Sequence, residues 1–202
     1  MKQTFFITGT DTDVGKTYCT VKLMQHYIAQ GYTVVGMKPI ASGCQMIDGV
    51  WQNDDVAKLI AASNVNAPRA LINPYSFDAP IAPHIAAEEA GIEIKLEVVK
   101  HAYTELCKLA DIVIVEGAGG LLVPINASQT MADIAKALNL PVILVVLIKL
   151  GCINHTLLTF CAIKQKNLEL NAWIANEKEN MIENGKIVLF LKQYLGLAPT
   201  LF

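Results

Sequence analysis

Apolar positions along the chain follow two rhythms, short continuous runs and longer stretches in which apolar residues return every three or four positions. The runs Phe5 to Thr8, Tyr32 to Met37, Asp111 to Val115, Pro141 to Ile148 and Leu170 to Ala175 read as strands. They lack polar alternation, as strands covered on both faces do. The helical rhythm covers Lys16 to Gln30, where Val21, Met24 and Ile28 share a face, and a short stretch from Val56 to Ala62. It returns over Ile94 to Leu109, Thr130 to Leu138, a stretch ending near Lys166, and Asn180 to Tyr194. Strands alternating with helices predict an α/β fold, a doubly wound and mostly parallel sheet with helices on both faces. Right-handed crossovers bring the strands' C-terminal ends to one edge, where such sheets bind ligands. The stretch from Pro68 to Pro83 holds Asn73-Pro74 and Ala79-Pro80 and predicts mostly irregular chain.

Between the first strand and the first helix lies Gly9-Thr10-Asp11-Thr12-Asp13-Val14-Gly15-Lys16-Thr17. Backbone N–H groups of a glycine-containing turn, a helix N-terminus, a lysine and a hydroxyl together grip nucleotide phosphates and Mg2+. The common pattern places four residues between its glycine and Gly-Lys-Ser/Thr; here five separate Gly9 from Gly15. The strand before it and the helix after it are what the mechanism needs, and they make the fold one of P-loop NTPase type. Lys38-Pro39-Ile40-Ala41-Ser42-Gly43 follows the second strand, so Lys38 and Ser42 are expected beside this loop. Asn53-Asp54-Asp55 opens the short helix, where such residues either cap it or hold a cation.

Glu116-Gly117-Ala118-Gly119-Gly120 ends the central strand. A carboxylate there is placed for a Mg2+ contact, and glycines let backbone approach a ligand. The helix start at Gly151-Cys152-Ile153-Asn154-His155 offers a second anion site, with Asn154 and His155 equally suited to capping. Asn176 ends the last strand, where its amide matches an adenine edge. His84, after Pro83, is suited to a substrate contact or equally to a cap or the core.

Composition narrows the setting. With 202 residues and 53% hydrophobic content, residues 1–202 are expected to form one domain. The longest apolar stretch, Pro141 to Ile148, is far shorter than the ~20 residues of a membrane span. The first residues lack a leader-like pattern, so a cytoplasmic location is expected. A net charge of -2 and dispersed lysines argue against nucleic acid as partner. Five cysteines without a Cys-x-x-Cys pair fit reduced thiols.

In order and spacing, Thr8 to Thr17, Lys38 to Gly43, Asn73-Pro74-Tyr75, Glu116 to Gly120 and Leu150 to His155 resemble the dethiobiotin synthetase family, from about Phe5 to Asn176. The extended phosphate loop is that family's own form. The resemblance implies a Mg2+- and ATP-dependent cyclo-ligase. It would form the ureido ring of dethiobiotin from 7,8-diaminopelargonate and CO2, through a carbamate and a carbamic-phosphoric anhydride. By matching position, Lys16 and Lys38 are implied to be catalytic, and Asp13, Val14, Gly15, Lys16, Thr17 and Tyr18 to surround the phosphates. Thr17, Asp55 and Glu116 are implied as metal ligands, with Gly117, Ala118, Gly119 and Asn176 completing the ATP site. Thr12, Ser42 and Gly119 would touch the diamine. Gly151, Cys152, Ile153 and Asn154 would receive its carboxylate across a homodimer interface. After Asn176 the chain is shorter than the family pattern, although Leu195 to Pro199 keeps the outline. The alternative is a P-loop switch ATPase of the partitioning or positioning type. That class generally carries a second lysine in the loop, and Asp11 to Val14 has none.

Overall fold

The computed structural model describes residues 4–177 and 182–200. In chain order the elements are β1 (Phe5–Gly9), α1 (Lys16–Ala29), β2 (Val34–Met37), β3 (Ile40–Ala41), β4 (Gln45–Ile47), β5 (Val50–Gln52), α2 (Asp54–Ala62), α3 (Arg69–Ile72), β6 (Tyr75–Ser76), α4 (Pro83–Glu89), α5 (Leu96–Leu109), β7 (Ile112–Gly120), α6 (Met131–Ala137), β8 (Val142–Leu147), α7 (Cys152–Gln165), β9 (Leu170–Asn176) and α8 (Ile182–Leu195). The expected start of the last helix, at Asn180, lies outside the described residues; Gly185 is accommodated within α8.

Five strands form a sheet in the order β2-β7-β1-β8-β9, with every neighbouring pair parallel. Side chains alternate across it, and on both faces the buried ones are mostly apolar. Phe5, Ile7, Ile112, Ile114, Ile143 and Val145 meet Cys19, Leu23 and Met24 of α1 on one face. Phe6, Val113, Val115, Val142, Leu144 and Val146 pack on the other with Val99 and Leu106 of α5, Ile134 of α6, Ile163 of α7 and Leu191 of α8. Two covered faces explain why the sequence shows continuous apolar runs.

Several expected boundaries move, each for a local reason. The central strand β7 runs on from Val115 through Glu116 to Gly120, which pairs with Gly9. A Cβ on Gly117 would lie 3.0 Å from Phe6 Cζ, so this length of strand tolerates little more than glycine beside β1. The second strand begins at Val34, because Thr33 turns its hydroxyl to Asp111 Oδ2 at 2.6 Å. Helix α2 begins at Asp54, since Asn53 is extended and its Oδ1 accepts from Asp55 N and Val56 N. The stretch expected to be irregular contains α3 and β6, which pairs with β3, and β4 and β5 form a small antiparallel hairpin. On α1, Val21 and Ile28 are half-buried while Cys19, Thr20, Leu23 and Met24 take the core.

Trp173 of β9 is fully buried, and its Nε1 donates to Leu197 O at 2.9 Å. Thr200 N donates to Trp173 O at 2.8 Å, which lays the tail along this edge strand. Trp173→Phe is expected to lose the indole bond and some packing, costing about 1–3 kcal/mol in denaturant unfolding.

Candidate active site

The phosphate loop leaves β1 at the C-terminal edge of the sheet. Two of its residues are left-handed, Asp13 at φ 56 and Gly15 at φ 89. Val14 folds inward, 1% exposed, so close to Gly9 that a Cβ there would lie 2.6 Å from Val14 Cγ2. Lys16 is buried and bends back over the loop, its Nζ donating to Asp11 O at 2.9 Å. Burial and then the neighbouring Lys38 charge pull its pKa below 10.5, against the opposing carboxylates Glu116, Asp55 and Asp13. Among the described residues no carboxylate pairs directly with this ammonium. It is suited to an incoming anion.

Beside the loop, Lys38 Nζ lies 2.8 Å from Asp55 Oδ2 and 2.8 Å from Glu116 Oε1. Thr17 Oγ1 donates to the same Glu116 oxygen at 2.7 Å. Burial would lower the Lys38 pKa, but the charges of Glu116 and Asp55 outweigh it and hold the ammonium above its usual value. Burial likewise acts to raise Asp55, and the Lys38 charge and hydrogen bond override it, leaving the carboxyl below 3.8. The backbone of Lys38 is fixed by Asn73, whose Nδ2 donates to Lys38 O at 2.7 Å while its Oδ1 accepts from Ser76 Oγ at 2.6 Å. Sequence reasoning gave Asn73 no role, though its signal was the Asn73-Pro74-Tyr75 run.

Glu116 is 0% exposed, and its Oε2 has no hydrogen-bond partner among the described residues. An orphaned carboxylate oxygen at this depth is costly unless something completes it. With Thr17 Oγ1 and Asp55 close by, the site offers oxygen donors of the kind Mg2+ takes, so these residues fit that ion.

A cavity of about 680 Å3 opens over these groups. Thr12, Asp13, Gly15, Lys16, Thr17 and Tyr18 line it from the loop, with Lys38, Ser42, Asp55, Ala118 and Gly119 opposite. Ser42 Oγ is buried there without a hydrogen-bond partner among the described residues. Lys58, one helical turn beyond Asp55, and the Pro80–Pro83 stretch also line the cavity. Sequence reasoning gave Lys58 no role, whereas the Pro80–Pro83 stretch ends the long stretch expected to be irregular, of a kind that often serves a site. Val14, Glu116, Gly117 and Asn176 are not among the residues lining it, and neither are His84, Gly151, Cys152, Ile153 and Asn154. Gly151 caps α7 at φ 89, Cys152 is buried, and the adjoining Leu150 is 98% exposed.

A family model described as an AAA domain matches residues 3–196. The ATP-dependent dethiobiotin synthetase BioD of Nitrosospira multiformis is 54% identical over 205 residues, covering 98% of this chain and 89% of that protein. The protein of the same name from Xanthomonas oryzae pv. oryzae is 45% identical over 179 residues, covering 89% of this chain and 80% of its own. The chain belongs to the dethiobiotin synthetase family. Solved structures share the fold: the signal recognition particle receptor FtsY of Elizabethkingia anophelis superposes with a TM-score of 0.59 at 16% identity, covering 98% of this chain and 57% of that one. A ParA family ATPase of Chlorobium tepidum does so at 0.56 and 13%, covering 100% and 84%. At these identities the likeness is one of fold alone.

Within this family member, Lys38→Met would strand Glu116 as a buried charge, and a loss of about 3 kcal/mol in unfolding free energy is expected. The folded Asp55 pKa lies below 3.8, so its ionisation stabilises the fold above that pH and the contribution fades as pH falls through the folded value. The stability difference between the protein and Asp55→Asn, followed by urea unfolding, is expected to shrink on acidification below pH 3.8.

Proposed function

We propose that this chain is an ATP-dependent dethiobiotin synthetase, a ligase of biotin biosynthesis that closes the ureido ring of dethiobiotin. One observation carries the reading at the site: Lys38 stands between Asp55 and Glu116, at the wall of a cavity that also holds the phosphate loop. Identity of 54% to a dethiobiotin synthetase over nearly the whole chain supports the same reaction.

The substrates are 7,8-diaminopelargonate, CO2 and ATP. One amine adds to CO2 and gives up a proton, forming a carbamate. A carbamate oxygen attacks the γ-phosphorus as the bond to ADP breaks. The second amine then attacks the carbonyl carbon, phosphate leaves with the bonding pair, and the amine's proton is lost as the ring closes. Lys38 holds the carbamate and offsets charge gathering between it and the phosphoryl group. Lys16 leaves its carbonyl contact to meet the transferring phosphate, with the backbone N–H groups of Asp13 to Tyr18 around the remaining oxygens. Thr17, Asp55 and Glu116 hold Mg2+, which when bound neutralises phosphate charge. Thr12, Ser42 and Gly119 position the diamine, and Gly117, Ala118 and Gly119 belong to the ATP-binding set. Asn176 reads adenine. Holding two amines, CO2 and phosphate together supplies most of the catalysis.

The turn Gly151-Cys152-Ile153-Asn154 has no place in the cavity of its own chain. Leu150, just before α7, and Leu158 on it are 98% and 61% exposed, apolar side chains that a second copy would cover. A homodimer in which this helix N-terminus receives the substrate carboxylate of its partner accounts for both features. We read the 202-residue chain as a single cytoplasmic domain without a nucleic-acid partner. Among the described residues no helix is long and apolar enough to cross a membrane.

ADP release from Mg-ATP and bicarbonate is expected to depend on added 7,8-diaminopelargonate, and its independence of the diamine would overturn the ligase reading. In Lys38→Ala, ATP binding by calorimetry is expected to persist while diamine-dependent turnover falls by a factor of about 100 or more.

A further inference from the structure

Asn176 ends β9, and β8 lies between that strand and β1, yet its side chain reaches the phosphate loop. Its Nδ2 donates to Val14 O at 2.8 Å. A carbonyl only accepts, so the amide must turn its NH2 side to the loop, which fixes its orientation. The contact is close as well as directed. A Cβ on Gly15 would lie 2.1 Å from Asn176 Nδ2 and 3.2 Å from Cγ, so the amide packs against the bare Cα of a residue held at φ 89. Gly15 is the N-cap of α1 and supplies no side-chain cap. Val14, the residue before it, accepts its side-chain hydrogen bond from across the sheet edge. Neighbouring bonds brace the same side. Thr10 N donates to Val145 O at 3.1 Å, and Ile148 N donates to Asn176 O at 2.9 Å, tying loop, β8 and β9 together.

We propose that Asn176 is a positioning residue for the phosphate loop. By engaging Val14 O and filling the space over Gly15, it presets the left-handed turn that aims the first N–H groups of α1 at the phosphates. This role is separate from any contact with a base, and it rests on the nucleotide-binding reading above. A loop held in its binding shape spends less ordering entropy on the ligand, so the benefit falls on the phosphates themselves.

Inorganic tripolyphosphate, which has neither base nor ribose, separates the two roles. Its Kd and that of ATP would be measured by calorimetry for the protein, for Asn176→Ala and for Asn176→Leu, with melting temperatures recorded in parallel. The leucine is near-isosteric and keeps the packing over Gly15 but brings neither a donor to Val14 O nor a charge beside the phosphates. It therefore tests the hydrogen bond in a variant that keeps its shape, should the alanine variant fail to fold. Tripolyphosphate binding is expected to weaken about tenfold in both variants, and ATP binding at least as much. Loss of ATP affinity with unchanged tripolyphosphate affinity would overturn the proposal and leave Asn176 a base contact alone. Failure of the unmodified protein to bind either ligand would overturn the nucleotide reading, and this one with it.

Discussion

The ion pairs that join Lys38 to Asp55 and Glu116 are the interaction on which the rest of the site depends. Glu116 has no exposure and the Lys38 side chain only 7%, so neither charge is met by water. Removing two charges from solvent costs several kcal/mol each unless geometry and further hydrogen bonds offset it. Here the partners come from three separate parts of the chain: the end of β2, the start of α2 and the middle of β7. Satisfying the pairs forces those parts together, and with them Thr17 from the loop after β1. The same demand explains Asn73, which spends its amide on the Lys38 carbonyl and so fixes where the ammonium can reach.

Two lysines in one pocket are held in contrasting ways. Lys38 is fully paired and its charge is stabilised, whereas Lys16 is desolvated, repelled by Lys38 and bonded to a neutral carbonyl. A phosphate entering the loop would find one cation already committed to positioning and another lacking an anion. That division matches a reaction in which one group must wait beside the nucleophile and the other must follow a transferring phosphoryl group. Among the described residues Glu116 Oε2 has no hydrogen-bond partner, and a hard cation would complete it.

Geometry at the loop comes from both of its flanks. On one side the carboxylate cluster receives Thr17; on the other Asn176 receives Val14 O. Between them Gly15 must be glycine twice over, for its left-handed backbone and for the amide lying against it. The phosphate loop is therefore a shared product of β1, β7 and β9.

The sequence by itself determined the order of strands and helices, the doubly wound class, the phosphate loop and the residue types gathered around it. Such features are local: continuous apolar runs declare strands covered on both faces, and Gly-Lys-Thr between a strand and a helix declares its own geometry. Tertiary structure alone decided the partnerships. No local signal says that Lys38 pairs with residues 17 and 78 positions away, that β7 carries Glu116 onward as strand, or that Asn176 bonds a carbonyl 162 positions earlier. Nor could spacing announce that Lys58 would line the cavity, or that Gly151 to Asn154 would stand apart from it. The reason is physical. Hydrophobic periodicity is set by neighbours along the chain, whereas the fate of a buried charge is set by whichever opposite charge the completed sheet brings within reach.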